Sequence, residues 1–304
     1  MKESDFIDWI RAQSAFDPAS VPVGPGDDMA VIVCGTERVL LGVDQALDGV
    51  HFVLADHGPR AAGRKVMARN LSDVAAMAAV PQGAVASVAL PKGLDRSAAE
   101  EIYRGLRSVG DEFRCPVVGG DVGVWPGLLA ISVTLAARSA GVGPILRSGA
   151  VAGDAVCVTG GFGGAWKSQR HLTFTPRINE AIALAAHYDL HAMIDVSDGL
   201  AVDLAHVCKA SGVGAVVVAA DVPIHSEVSA LGQEPALAAA LGDGEDYELL
   251  FTLDESRAAE LIRDQPFAAG VTRVGTIEPG PSLSLLCADG RRQPLKTTGW
   301  EHET

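Results

Sequence analysis

Residues 139–153 read SAGVGPILRSGAVAG, a run of small and turn-forming residues of the kind across which few contacts pass. It divides a chain of 304 residues into two halves, and a length above the ~100–200 residues of one typical core agrees with two domains. We place them at 1–140 and 147–304. In the first half, 30–34 (AVIVC), 38–43 (RVLLGV), 84–91 (AVASVALP) and 128–137 (LLAISVTLAA) are short, β-branched and bounded by Gly, Pro or charge, which predicts strands. Residues 59–79 and 94–112 are rich in helix formers and predict helices covering a sheet. In the second half, 155–159, the AMID run ending at Asp195, 214–220 and 247–252 predict strands, and 199–211 a helix. The fold class is therefore α/β (α+β), without tandem repeats.

Hydrophobic residues make up 48% of the chain and charged ones 20%, enough apolar surface for a packed core. Lys and Arg number 24 against 38 Asp and Glu, a formal charge of −14 with no basic run. Nucleic acid and anionic membrane are poor partners for such a chain. No 18-residue apolar run spans a bilayer, and the charged opening MKESDFIDWIRAQ is no secretory signal. The cysteines (34, 115, 157, 208, 287) are far apart and read as buried free thiols, which points to a reducing cytoplasm.

The addresses of the acids carry more than their number. Gly26-Asp27-Asp28, Val43-Asp44, Asn70-Leu71-Ser72-Asp73, Gly119-Gly120-Asp121 and Asp195-Val196-Ser197-Asp198-Gly199 punctuate apolar elements, several of them beside glycines. Any one aspartate is as well explained by helix capping or an Asx turn. Capping does not explain paired acids, whose repulsion a cation relieves. Oxygen ligands without His or Cys favour Mg²⁺ or Mn²⁺ together with substrate phosphates, so phosphoryl or nucleotidyl transfer leads. GGFGGAWKS at 160–168 has Trp166 where a Walker A loop needs glycine, and reads as a Gly-rich turn into a helix that could offer N–H groups to an anion.

Taken in order, these strings resemble the thiamine-monophosphate kinases of the aminoimidazole ribonucleotide synthetase superfamily. The likeness runs through GPGDDMAVI (24–32), DQALDGVHF (44–52), NLSDVAAM (70–77), GGD (119–121), RSGA (147–150) and VTG (158–160). It continues through HLTFTPRI (171–178), IDVSDGLAVDLAHV (194–207) and GEDYELLF (244–251). The resemblance implies two domains, the first giving a four-stranded sheet to a homodimer barrel, with ATP and several Mg²⁺ ions in the interdomain cleft. It implies Asp27, Asp28, Asp44, Asp73, Asp121 and Asp198 as metal ligands or water-mediated partners. Gly119, Gly120, Asp121, Arg147 and Ser197 would meet ATP, and His51, Glu245 and Trp300 the thiamine monophosphate. No general base is required, because the acceptor is already a phosphate oxyanion.

Four departures from the family pattern stand near the implied cleft. Gly42-Val43 replaces a hydroxyl pair, Val122 replaces the Thr after Gly-Gly-Asp, the connector 161–170 is short, and Asp243 occupies a glycine position. Two alternatives stay open: a related ATP- and Mg²⁺-dependent phosphotransferase acting on another phosphorylated heterocycle, and a nucleotide-binding protein without turnover.

Overall fold

The computed structural model describes residues 3–297 and Gly299. In the first half the order is α1 (Glu3–Gln13), β1 (Ala30–Cys34), β2 (Glu37–Leu47), α2 (Leu54–Ala76), β3 (Ala79–Pro91), α3 (Arg96–Glu112), β4 (Val117–Trp125) and β5 (Ala130–Ser139). These strands form one open sheet in the order β1-β2-β5-β3-β4, antiparallel except for the parallel pair β3–β4. The sheet has five strands where the resemblance implied four, and the one added to the strands read from sequence is β4; β1 turns back on β2 through a tight hairpin, pairing Cys34 with Glu37. β4 was not predicted as a strand, since its glycines carry no β propensity. Gly120 is nevertheless required there, because a Cβ would lie 2.0 Å from the Ala86 carbonyl oxygen on β3.

The second half continues with β6 (Ala155–Thr159), α4 (Ile178–His187), β7 (Leu190–Val196), α5 (Leu200–Ser211), β8 (Gly214–Val218), α6 (Ser226–Ser229) and α7 (Gln233–Gly242). It ends with β9 (Glu248–Leu253), α8 (Glu255–Asp264), β10 (Val271–Glu278), β11 (Leu283–Leu286) and β12 (Arg292–Pro294). Its mixed sheet runs β12-β11-β8-β10-β6-β9-β7. β6 and β9 are buried along their whole length, as apolar strands covered on both faces must be.

α2 joins the two halves. It kinks at Gly58-Pro59, where Gly58 has φ 78°, so that Pro59 starts the long segment as sequence predicts. From there it is buried on nearly every side, including Lys65, Asn70 and Ser72. One apolar cluster runs through it from Met29 and Leu40 to Met193 and Phe251 of the second sheet. Its contact with α3 is close because both helices have glycine at the crossing: a Cβ on Gly63 would lie 2.0 Å from the Ile102 carbonyl, and one on Gly105 2.1 Å from that of Arg60. The reading of all five thiols as buried is corrected. Cys115, Cys157 and Cys208 are buried, whereas Cys34 is exposed at the hairpin and Cys287 is half-buried. Among the described residues, no helix is long and apolar enough to cross a membrane.

Candidate active site

Asp28, Asp73 and Asp195 come together, with one carboxylate oxygen of each within 4.8 Å of the others. They arrive from the turn before β1, the last turns of α2 and the end of β7, so both sheets contribute. Ser72, beside Asp73, donates to Asp195 Oδ2 at 2.6 Å across the domain junction. Asp44 on β2 joins the same field. Arg69 Nε donates to its Oδ2 at 3.1 Å, and its backbone N–H donates to Asn70 Oδ1 at 3.1 Å. Asn70 and Asp73 stand three apart on α2, hence on one face, which explains the Asn-Leu-Ser-Asp spacing.

The electrostatics of this group are unfavourable without a cation. Burial pushes Asp73 well above the usual carboxylate range, and the charges of Asp44, Asp195 and Asp28 push it further. Asp195 rises to about 7, first by burial and then by Asp28. Burial also raises Asp44, against the pull of Arg69. Asp28 Oδ2 is buried without a hydrogen-bond partner, a costly state that a bound divalent ion would relieve. Carboxylate oxygens alone, converging and partly unpaired, fit a hard cation such as Mg²⁺.

Arg147 lines the same place. Its Nη2 donates to Asp28 Oδ1 at 2.7 Å, and its backbone N–H donates to Asp27 Oδ1 at 2.9 Å. Asp27 therefore anchors the interdomain segment, and burial raises it despite that bond. Arg147 Nε is buried without a partner, a spare donor beside the carboxylates. Ser197 and Asp198 lie on the turn after β7, and their N–H groups, with that of Gly199, all donate to Asp203 Oδ2 at 3.1 Å.

Asp121 is not brought to the cluster. Strand register sets Asp44, Val133, Ala86 and Gly120 in one row, so β4 lies three strand spacings, roughly 14 Å, from β2. Asp121 belongs to the next row, with Gln45, Ser132 and Ser87, on the opposite face of the sheet from Asp44. Beside it, Gly119, Gly120 and Val122 of β4 and Ile102, Tyr103 and Leu106 of α3 line an apolar cavity of about 450 Å³.

A second polar group lies across the domain junction. Lys65, wholly enclosed in α2, donates to the His51 carbonyl at 2.5 Å and to His171 Nδ1 at 2.8 Å, and pairs with Glu245 Oε2 at 2.5 Å. The Tyr247 hydroxyl donates to the same Oε2 at 3.1 Å. Burial lowers Lys65 to about 8 against the pull of Glu245, and burial with the nearby Lys65 lowers His171 to about 3. His51 is itself buried, with Nδ1 accepting from the Leu47 N–H. Glu245 and Tyr247 both have positive φ, 62° and 53°, conformations of the sort held at functional sites by their surroundings. Trp300 lies outside the described residues.

The Gly-rich segment is corrected on two points. It leads into turns and a short 3₁₀ turn at Arg170–Leu172 rather than an α-helix. Its N–H groups face inward: Gly163 donates to Asp246 Oδ1 at 3.1 Å and Gly164 to Asp243 Oδ2 at 3.0 Å, so internal carboxylates take the place of an anion. Asp243, where the resemblance implies glycine, accepts the Gly164 bond.

Residues 26–139 match the family described as AIR synthase related protein, N-terminal domain, and 152–287 its C-terminal domain. The thiamine-monophosphate kinase of Rhodopirellula baltica is 38% identical over 99% of this chain and 97% of its own. This chain belongs to the thiamine-monophosphate kinase family, within the AIR synthase related proteins. The enzyme of that name from Aquifex aeolicus is 31% identical over 91% of this chain and 92% of its own. The solved complex of AaThiL with AMPPCP and TMP superposes with a TM-score of 0.83 at 29% identity, covering 99% and 97% of the two chains.

Of the three positions where the resemblance to the thiamine-monophosphate kinase family implies hydroxyls, Gly42 lies against the carboxylate cluster, where a Cβ would be 3.8 Å from Asp73 Oδ2, and Val43 and Val122 lie away from it. Val43 and Val122 are 63% and 66% exposed, and Val43 points opposite to Asp44 on β2. Sequence reasoning left Asp195, Lys65, His171 and Tyr103 without roles. Asp195 had a signal, an acid inside an otherwise apolar strand. Lys65 had none, because a lysine in a helix of mixed polarity reads as solvated.

Proposed function

We propose that this protein transfers the γ-phosphoryl group of ATP to the phosphate of thiamine monophosphate, giving thiamine diphosphate. The observation that carries this reading is the Asp28, Asp73 and Asp195 cluster, with its unpartnered Asp28 Oδ2 beside the spare Nε of Arg147. Asp28, Asp44, Asp73 and Asp195 would hold Mg²⁺, with Asp27 and Asp198 at the margin. Mg²⁺ there supplies charge neutralisation between donor and acceptor phosphates. Arg147 would turn from Asp28 towards the nucleotide's phosphates, and the turn at Ser197 would flank them. On the acceptor side, His51, Glu245 and Trp300 would hold the thiamine moiety in line. With an oxyanion as nucleophile, no side chain has to remove a proton, and positioning and charge account for the rate. ATP and free thiols are both features of the cytoplasm, where we place the protein, with domains at 1–140 and 147–304.

The first sheet supports a homodimer. β1 covers β2 only as far as Leu41, which leaves Gly42–Leu47 without a second strand neighbour, and β4 is exposed along nearly its whole length at the other edge. Two copies pairing these edges would close a barrel and remove both. The same pairing would carry one copy's β4, with Gly120 and the apolar cavity under that strand as a seat for the nucleotide base, towards the other copy's Asp44, with Asp121 on the opposite face of the same strand. Incubating the protein with Mg·ATP and thiamine monophosphate should give a new diphosphate signal in the ³¹P spectrum. ATP binding without that product, or product only with another phosphorylated heterocycle, would overturn the reading. Asp44→Asn and Asp121→Asn should each be inactive, and co-refolding them should restore about a quarter of wild-type turnover, since half the dimers then keep one intact site of two. No restoration would reject the shared site.

A further inference from the structure

The Gly-rich connector places Trp166 in a position that the carboxylate chemistry does not use. Its indole stacks on His171, with ring centroids 4.4 Å apart and planes at 20°. His57 of α2 meets it edge-on at 6.3 Å. Lys65 Nζ lies 5.4 Å from the indole centroid. Beside this tryptophan is a buried set in which Lys65 divides its three N–H donors among the His51 carbonyl, His171 and Glu245, while His171 Nε2 is buried without a hydrogen-bond partner. Trp166 itself remains 43% exposed. One face is taken by His171, and the exposed remainder of the side chain is free to meet a ligand.

Two further facts bear on what that exposed surface could meet. The Lys65, Tyr247 and His171 contacts to Glu245 all fall on Oε2, which leaves Oε1 as an acceptor for something else. Since Lys65 Nζ is 2.5 Å from Oε2 and 5.4 Å from the indole centroid, the carboxylate lies no more than about 8 Å from the ring. A rigid, electron-rich aromatic face with a carboxylate at that distance suits a planar, electron-poor heteroaromatic ring that carries an N–H donor on its edge. An amino-substituted pyrimidine has that chemistry, and it fits better than a bare cation, because Lys65 already places positive charge against the indole.

We propose that Trp166 is the stacking surface for the acceptor's amino-heteroaromatic ring, and that Lys65 is the positioning residue that presents Glu245 to the ring's edge. This rests on the phosphotransfer reading given above, and adds to it a residue of the Gly-rich connector. The Trp166→Ala variant should raise KM for thiamine monophosphate tenfold or more and leave KM for ATP within twofold of wild type. Trp166→Phe, which keeps a ring on His171, should recover most of the loss. Lys65→Met should raise the same KM, and its deficit should not be recovered by saturating ATP. Without ATP, thiamine monophosphate should quench the fluorescence of wild type, and Trp166→Phe should lose most of that quenching. A wild type that turns over while Trp166→Ala keeps its acceptor KM within twofold would overturn the inference alone. A wild type that makes no diphosphate would overturn the phosphotransfer reading, and the quenching titration would still decide the stacking role: unchanged quenching in Trp166→Phe rejects it.

Discussion

Asp195 at the end of β7 and Asp203 in the first turn of α5 are close in sequence, and they belong to arrangements built on opposite plans. Asp203 is an acceptor with its donors in place: three consecutive backbone N–H groups, from Ser197, Asp198 and Gly199, converge on one of its oxygens. Burial pushes this carboxyl up, and the N–H donors of the turn oppose that by favouring its charged form. Asp28, Asp73 and Asp195 have no comparable supply. Their neighbours are mainly one another, and Asp28 Oδ2 has no partner at all. The same residue type thus serves in one place to fix a turn and in the other to wait for a cation. Composition is silent on the difference, and the count of N–H donors decides it.

The largest test of that contrast is Asp73→Asn. It should lower turnover at saturating ATP by at least about a hundredfold, by removing charge that orients the phosphates, and it should leave the metal-free fold as stable as wild type or more so, because a repulsion is relieved. Urea unfolding and steady-state rates measured on one preparation check both halves. A variant that unfolds, yet turns over normally when folded, would place Asp73 with Asp203 as a structural acid. Next in size is Asp203→Ala. Three N–H groups of the Ser197 turn lose their acceptor, and the expected loss is about 2–4 kcal/mol of unfolding free energy. The rise in melting temperature on adding Mg²⁺ should persist in this variant and be absent in Asp73→Asn. Equal Mg²⁺ responses in the two would erase the distinction.

Most strands and the two large helices of the first half were legible because alternating and continuous apolar runs bounded by Gly, Pro or charge report burial directly. β4 was not, because Val117–Trp125 carries three glycines, Gly120 for its close contact with β3, and an acid facing solvent, and reads as a loop. The second half hid α4, α8 and β10, whose sequences mix small and charged residues and are shaped by packing. At the site, Asp28, Asp44 and Asp73 were legible as acids at element ends, but what each one faces was not. Asp27 anchors a backbone N–H, and Asp121 stands on the far face of the sheet, because a period of two along a strand says which residues share a face and nothing about the neighbouring strand. Lys65 and His171 meet only through tertiary packing, 106 residues apart, and no local pattern could pair them.

The smallest expected effect concerns protons. Asp195 has a folded-state value near 7 against an ordinary 3.8, so the fold favours its neutral form. The stability this gives is complete below the ordinary value and is lost as pH rises through the folded one. Asp73 and Asp44 shift in the same direction, so metal-free protein should lose stability from these groups between about pH 4 and 7. A divalent ion restores it by pairing with the charged forms, whereas at acid pH it has first to displace protons. The Mg²⁺-induced rise in melting temperature should therefore be larger at pH 7.5 than at pH 5.5, by about 2 °C or more. Asp195→Asn should shrink that difference, and Asp203→Ala should keep it. If the Mg²⁺ response were flat between the two pH values in wild type, the converging carboxylates would already be neutralised within the protein, and the contrast with the Asp203 turn would fail.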